Sequence, residues 1–206
     1  MGKKEDVKDI IWEIWEISIN AKRFLKYSFY LHKPDTKEEL EYLRTSRDFQ
    51  FIAQALWQNA VIELSKLFSN SKNRDKFNIF HFIKKLEKNG HFSGFEISQN
   101  KINNWYTNIE ESRETINLII KLRDKVYAHT DGYLEKKGLD TPTFEQTLKL
   151  IDIVESVIEE IHSSIFDTQA MMNSRHLEFN PSKILKILAR EREIRISARK
   201  GLLKKL

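Results

Sequence analysis

Interruption is rare in this chain, and that constrains its fold more than any other feature. Among 206 residues stand only three prolines and six glycines, the residue types that most reliably end a helix or open a turn. Between them apolar residues recur three and four apart, the rhythm of a helix with one buried face, and no segment alternates with the period of two that a half-buried strand needs. Long helices are therefore predicted, in a chain long enough to enclose a sizeable core.

The predicted order is as follows. A first helix runs from about Asp6 to Leu31, with Ile10, Ile11, Ile14, Trp15, Ile17 and Phe24 on its apolar face, and His32-Lys33-Pro34 closes it. Thr36 and Glu39 form a capping-box pattern, from which a second helix continues to about Phe68 on Phe49, Ile52, Ala53, Leu56, Ala60, Leu64 and Leu67. A polar loop (69–76) leads to a short, mostly apolar helix from Phe77 to Lys88, which is expected to cross the bundle. A third long helix spans about Gln99 to Thr130. After a loop, Thr141-Pro142 reads as an N-cap with proline in the first turn, opening a helix to about Phe166; Asn180-Pro181 opens the last, to about Leu203. The fold class is all-α: an elongated antiparallel four-helix-type bundle, with a short crossing helix and a basic C-terminal helix. The bundle is assigned to residues 1–170, and residues 171–206 to a linker and that terminal helix.

Composition removes several kinds of chemistry. There is no cysteine, so thiol catalysis, disulfides and zinc ribbons are excluded. The six histidines form no His-x-x-x-His or HExxH pair, so neither a metal site nor a cofactor is expected. Neither a glycine-rich phosphate loop nor a GxSxG elbow occurs. No apolar run approaches the roughly 20 residues of a membrane span, and the charged start leads into Trp12, Glu13, Trp15 and Glu16, unlike a secretory leader. A cytoplasmic protein is expected.

The net charge of +5 is unevenly placed. Residues 181–206 carry nine Lys and Arg against two Glu, a net +7, while the other 180 carry 26 basic and 28 acidic residues, a net −2. A nearly neutral body with a basic amphipathic tail points to an anionic partner for the tail. Docked by its apolar side, the tail would present Arg190, Arg195, Arg199 and Lys200 to RNA; a membrane surface or a partner helix fits the same composition.

The candidate site ends the third long helix, at Lys121-Leu122-Arg123-Asp124-Lys125-Val126-Tyr127-Ala128-His129-Thr130-Asp131-Gly132. At about 100° per residue, Ile116, Ile119, Ile120 and Tyr127 share a face, and Arg123 falls in its middle. A charge on an apolar stripe must be paired, set at an interface, or used. Gly132 supplies a helix C-cap, which puts His129 in or just past the last turn. Two readings of these residues stand. His129 continues the stripe of Leu118, Leu122 and Val126, so it serves as a core-edge histidine while Arg123 pairs with Glu110 or Asp124. Alternatively, Arg and His form an active site.

The run Arg123-Asp124-Lys125-x-x-Ala128-His129-x-Asp131 resembles the signature of the HEPN superfamily, most closely its abortive-infection, AbiU-type subgroup. The resemblance covers about residues 1–170 and leaves the tail outside. It implies a helical bundle, usually dimeric, and in many members a metal-independent endoribonuclease whose Arg and His meet at the dimer interface. It therefore implies catalytic roles for Arg123, His129 and Asp124. His129 would be general base or acid near neutral pH, Arg123 a planar clamp on the scissile phosphate, and Asp124 would orient one of them or the substrate. Lys125, one turn before His129, would lower the pKa of His129 or touch phosphate. The products would be a 2′,3′-cyclic phosphate and a 5′-hydroxyl. Asp131 stands where some HEPN toxins carry a tyrosine that an antitoxin modifies.

A separation of six residues is about 240° of rotation on a straight helix, so Arg123 and His129 of one copy do not share a face. Two motif helices around a two-fold axis would bring both residue types to one cleft, with the stripe around Arg123 as the interface. The partners expected are RNA, a second copy of the chain, and an antitoxin or regulatory protein; no sequence-specific reading of DNA is expected, nor a membrane. The alternative from the same fold is a non-catalytic dimer that binds RNA or nucleotides, or acts as a scaffold, in a defence or toxin–antitoxin system.

Overall fold

The computed structural model describes residues 2–69, 77–95, 97–124, 140–172 and 181–203. Helix dominates these residues, and no strand occurs among them, as expected for an all-α chain. In order they form α1 (Lys3–His32), α2 (Lys37–Thr45), α3 (Arg47–Phe68), α4 (Ile79–Leu86), α5 (Gln99–Glu111), α6 (Arg113–Leu122), α7 (Phe144–Ile161) and α8 (Pro181–Leu203).

The spine is α1, about 45 Å long at 1.5 Å per residue. It buries Val7, Ile10, Ile11, Ile14, Ser18, Ala21, Leu25 and Ser28 along one side. Its most extensive contact is with α3. Ala21 and Ser28 on α1 and Ala53 and Ala60 on α3 are all buried, and such small residues let two backbones approach closely. The Ser28 hydroxyl donates to the Ala53 carbonyl at 2.9 Å, which satisfies a polar group inside the seam.

Helix α7 packs antiparallel to α1. Phe29 meets Phe144 near one end of the pair, and Trp15 meets His162 near the other. Between them Lys22 Nζ lies 2.5 Å from Glu155 Oε2, both side chains about nine-tenths buried. Burial pushes the Glu155 carboxyl pKa up, against the opposing pull of Lys22. Helix α5 runs antiparallel along α7, tied by Lys101 to Ser164 and by Glu111 to Lys149. Helix α6 starts where Arg113 stands over the Phe80 ring and Phe80 meets Phe68 at the end of α3, and it packs on α3. Helix α4 is capped by Asn78, whose side chain accepts from the Phe80 and His81 N–H groups. Its exit needs Gly90, because a Cβ there would stand 2.3 Å from the Lys85 carbonyl oxygen.

Helix α8 docks on α2 and touches α1. A small cluster apart from the main core holds it: Tyr30, Leu43 and Leu185, with Leu31, Tyr42 and Phe49 packed around them. Beneath it the buried Glu39 accepts through Oε2 from the N–H groups of Asp35 and Thr36. Burial and the neighbouring Glu39 together push the Tyr30 hydroxyl pKa up.

Three helix boundaries differ from expectation. The second predicted helix is two, broken at Ser46, which ends α2 and whose hydroxyl accepts from Phe49 N–H to start α3. The third is likewise broken at Ser112, the last cap of α5 and the first of α6. Apolar spacing resumes in register across both serines, so periodicity alone hides the bends. The helix expected from Thr141-Pro142 begins two residues later, because Thr143 and Gln146 form a reciprocal capping box that satisfies two orphan N–H groups where Pro142 has none to offer.

Replacing Lys22 by Met should leave a buried carboxylate unpaired and cost about 3–5 kcal/mol at neutral pH. The raised folded-state pKa of Glu155 fixes the sign of the pH dependence. Ionisation opposes folding as pH rises from the ordinary carboxylate value of 4.5 through the raised one. The deficit should therefore shrink as pH falls towards 4.5, measured by urea unfolding across that range. Replacing Lys22 and Glu155 together by apolar residues should recover most of the loss.

Candidate active site

The motif begins where α6 loses its regular winding. Arg123 and Asp124 lie in a wide, π-type turn, and the Arg123 N–H is shared between the Ile119 and Ile120 carbonyls. Such widened turns are a common way to redirect side chains at functional sites. Arg123 Nε lies 2.6 Å from Asp124 Oδ1. The contact is an ion pair without hydrogen-bond alignment, and Nε itself is shielded from solvent. The Arg123 side chain is 31% exposed and that of Asp124 53%. Held by Nε, the guanidinium keeps its two Nη groups, the edge that grips phosphate oxygens, outside this pair.

His129 and Lys125 lie outside the described residues, so the structure brings together only Arg123 and Asp124 of the motif. Of the two partners that the non-catalytic reading gave Arg123, Asp124 is the one it meets; Glu110 is engaged elsewhere, with Arg113 Nη2 2.5 Å from its carboxylate, which holds that carboxyl below the usual range.

One expectation is corrected. The apolar stripe around Arg123 does not form an open face. Of its members, Ile116 and Ile119 are at most 2% exposed and belong to the main core, with Ile120 packed against it, while Tyr127 lies outside the described residues. The stripe is consumed within the chain because α6 lies on α3, a placement decided by the turn at Ser112, which the predicted straight helix lacked.

The basic tail is organised more tightly than its composition suggested. Tyr42 of α2 and Leu188, Arg192, Arg195 and Arg199 of α8 line a groove of 740 Å³ between the two helices. Arg195 is 77% exposed and reaches back to Glu191 at 2.9 Å. Arg190 and Lys200 are exposed but do not line the groove. Arg192 was absent from the expected set, although its spacing of three and seven from Arg195 and Arg199 places all three on one face. Among the described residues no group of acidic and histidine side chains is arranged to hold a metal, and no helix is long and apolar enough to cross a membrane.

Because the Arg123–Asp124 pair joins neighbouring, partly exposed side chains without hydrogen-bond alignment, Asp124→Ala should change unfolding free energy by less than about 1 kcal/mol. Chemical denaturation would check this, and a larger loss would make the pair a structural tie.

No curated protein and no solved structure matches the chain. The profile of the HEPN_AbiU2 family, described as AbiU2, matches residues 4–180, which includes the whole motif and stops short of α8. The chain belongs to the HEPN_AbiU2 family, a HEPN domain of the abortive-infection class.

Proposed function

We propose that this protein is a metal-independent endoribonuclease of the HEPN type, a cytoplasmic toxin or abortive-infection effector whose site is shared between two copies of the chain. The observation that carries the reading is Arg123, about a third exposed, at the widened end of α6 and paired with Asp124 through Nε. A guanidinium so placed offers its Nη fork to a phosphate and stays charged at any physiological pH.

In this reading Arg123 neutralises the charge that builds on the phosphorane. Asp124 holds the guanidinium in place before substrate arrives, so little reorganisation remains at the moment of reaction. His129 takes the proton from the ribose 2′-hydroxyl, or gives one to the departing 5′-oxygen, a task that suits an imidazole near neutral pH. Attack by the 2′-oxygen on phosphorus expels the 5′-oxygen, leaving a 2′,3′-cyclic phosphate and a 5′-hydroxyl. The groove of Arg192, Arg195 and Arg199 engages flanking phosphates, which makes affinity fall with salt. An antitoxin or regulatory protein would restrain the activity. The face by which two copies pair must be one other than the Ile116–Ile119 stripe, which is already buried.

The test is cleavage of total RNA by the purified protein in EDTA. The wild type should cut and leave cyclic-phosphate ends. His129→Ala and Arg123→Ala should each lose about 10²-fold or more while remaining folded and of unchanged oligomeric state by light scattering. RNA binding without cleavage in the wild type would identify a non-catalytic HEPN module. Separately, a combined Arg192→Gln, Arg195→Gln, Arg199→Gln variant should weaken RNA binding and reduce its salt dependence by up to about three ion equivalents, read by fluorescence anisotropy between low and moderate salt.

A further inference from the structure

Phe144, the first residue of α7, is the centre of an aromatic cluster at the end of the bundle. Its ring lies 5.1 Å from that of Phe29, 5.1 Å from that of Trp57 and 5.6 Å from that of His32, edge-on or tilted in each case. Beside the cluster opens a cavity of 360 Å³, walled by His32 of α1, by Gln50, Gln54 and Trp57 of α3, and by the segment Thr141 to Phe144. That volume falls at the small end of the roughly 300–1,000 Å³ typical of ligand pockets.

The chemistry of the walls narrows the occupant. Among the described residues no carboxylate, Lys or Arg lines the cavity, so none of that lining is built to hold a phosphate or a metal cation. It offers instead flat aromatic surface and amides. Gln50 and Gln54 are one helical turn apart on α3 and so share a face. Gln50 Nε2 donates to the Arg44 carbonyl at 3.3 Å, which orients that amide. The Gln54 amide and the Trp57 indole N–H make no hydrogen bond to the described residues. His32 Nδ1 lies 2.7 Å from the Ser28 carbonyl oxygen; a carbonyl only accepts, so Nδ1 carries the hydrogen, and Nε2 of the neutral ring is left as an acceptor. A planar, uncharged heteroaromatic ring with donors and acceptors along one edge matches this lining. That is a nucleobase, which stacks on aromatic side chains and is read along its edge by amides.

The cavity also sits at a telling place in the chain. Asp140 is the first described residue after the motif, and the Thr141–Phe144 wall follows it in the chain.

We propose that this cavity is a base-binding subsite that accepts one unstacked nucleobase against Trp57 and Phe144, with Gln54 hydrogen-bonded to the base edge. That the base belongs to an RNA strand rests on the ribonuclease reading above; a free nucleotide presents the same base chemistry.

The test uses the full chain and a fluorescently labelled 2′-O-methyl RNA oligonucleotide of mixed sequence, which lacks the attacking hydroxyl and so survives. Binding is read by anisotropy for the wild type, Gln54→Ala and Trp57→Leu. Gln54 is exposed, so its replacement does not threaten folding, and Leu keeps apolar bulk at position 57 while removing the stacking surface. Each variant is expected to bind about ten-fold more weakly. In parallel, the four free nucleoside monophosphates are titrated against intrinsic tryptophan fluorescence, with Trp57→Leu as reference. Oligonucleotide binding that both variants leave unchanged overturns the subsite and leaves the ribonuclease reading standing. No oligonucleotide binding, with quenching by monophosphates that Trp57→Leu abolishes, supports the pocket as a base site and overturns the RNA reading. Neither kind of binding overturns both.

Discussion

The close seam between α1 and α3 is the contact on which the rest of the bundle depends. Ala21 and Ser28 on α1 and Ala53 and Ala60 on α3 are all buried, and the Ser28 hydroxyl is satisfied by the Ala53 carbonyl within the seam. A bulky residue at any of these positions would separate the two helices, because close-packed interiors absorb added volume only by strain. Every other element is positioned from this pair. Helix α7 lies along α1, α5 lies along α7, and α6 lies on α3. The place of Arg123 at the end of α6 thus descends from small residues on two helices far from it in sequence.

A buried ion pair also stands in the apolar interior. Lys22 and Glu155 join α1 to α7 in a setting where an unpaired charge is costly. A pair of this kind adds little net stability over an apolar substitute, but it sets the axial position of one helix against the other, because each charge finds its partner in one register only. That register carries Phe144, at the start of α7, to Phe29, His32 and Trp57. The surface chemistry is organised differently. The main body is close to neutral overall, and cationic side chains concentrate on α8, which lies beyond the matched family segment and is held by the small cluster around Leu185.

Much of the fold was legible in the residues, and the failures have identifiable causes. The Thr36–Glu39 capping box was read correctly because both halves of the motif lie within one turn and need no tertiary support. The breaks at Ser46 and Ser112 escaped because a serine flanked by helix formers carries no breaker signal, and the apolar rhythm continues on either side. The start of α7 was read two residues early because a proline after a threonine is a local signal, whereas the Thr143–Gln146 box that prevails is a reciprocal one. At the site, the charge on the apolar stripe singled out Arg123, which the structure sets beside Asp124. The stripe's role was misassigned: an isolated helix does not reveal whether its apolar side meets its own chain or a second copy.

What the sequence alone determined is the all-α class, the family and the chemical inventory of Arg, Asp and His, because helix period, capping pattern and a short contiguous motif are all properties of residues close in the chain. What only the tertiary structure decided is which of those groups meet. The burial of Ile116, Ile119 and Leu122, the arginine groove against Tyr42 and the aromatic cavity at Phe144 each join segments tens to more than a hundred residues apart, or depend on a helix lying against a distant one. The physical reason is that burial and side-chain contact are set by which surfaces compete successfully for one another, and that competition is settled across the whole chain at once.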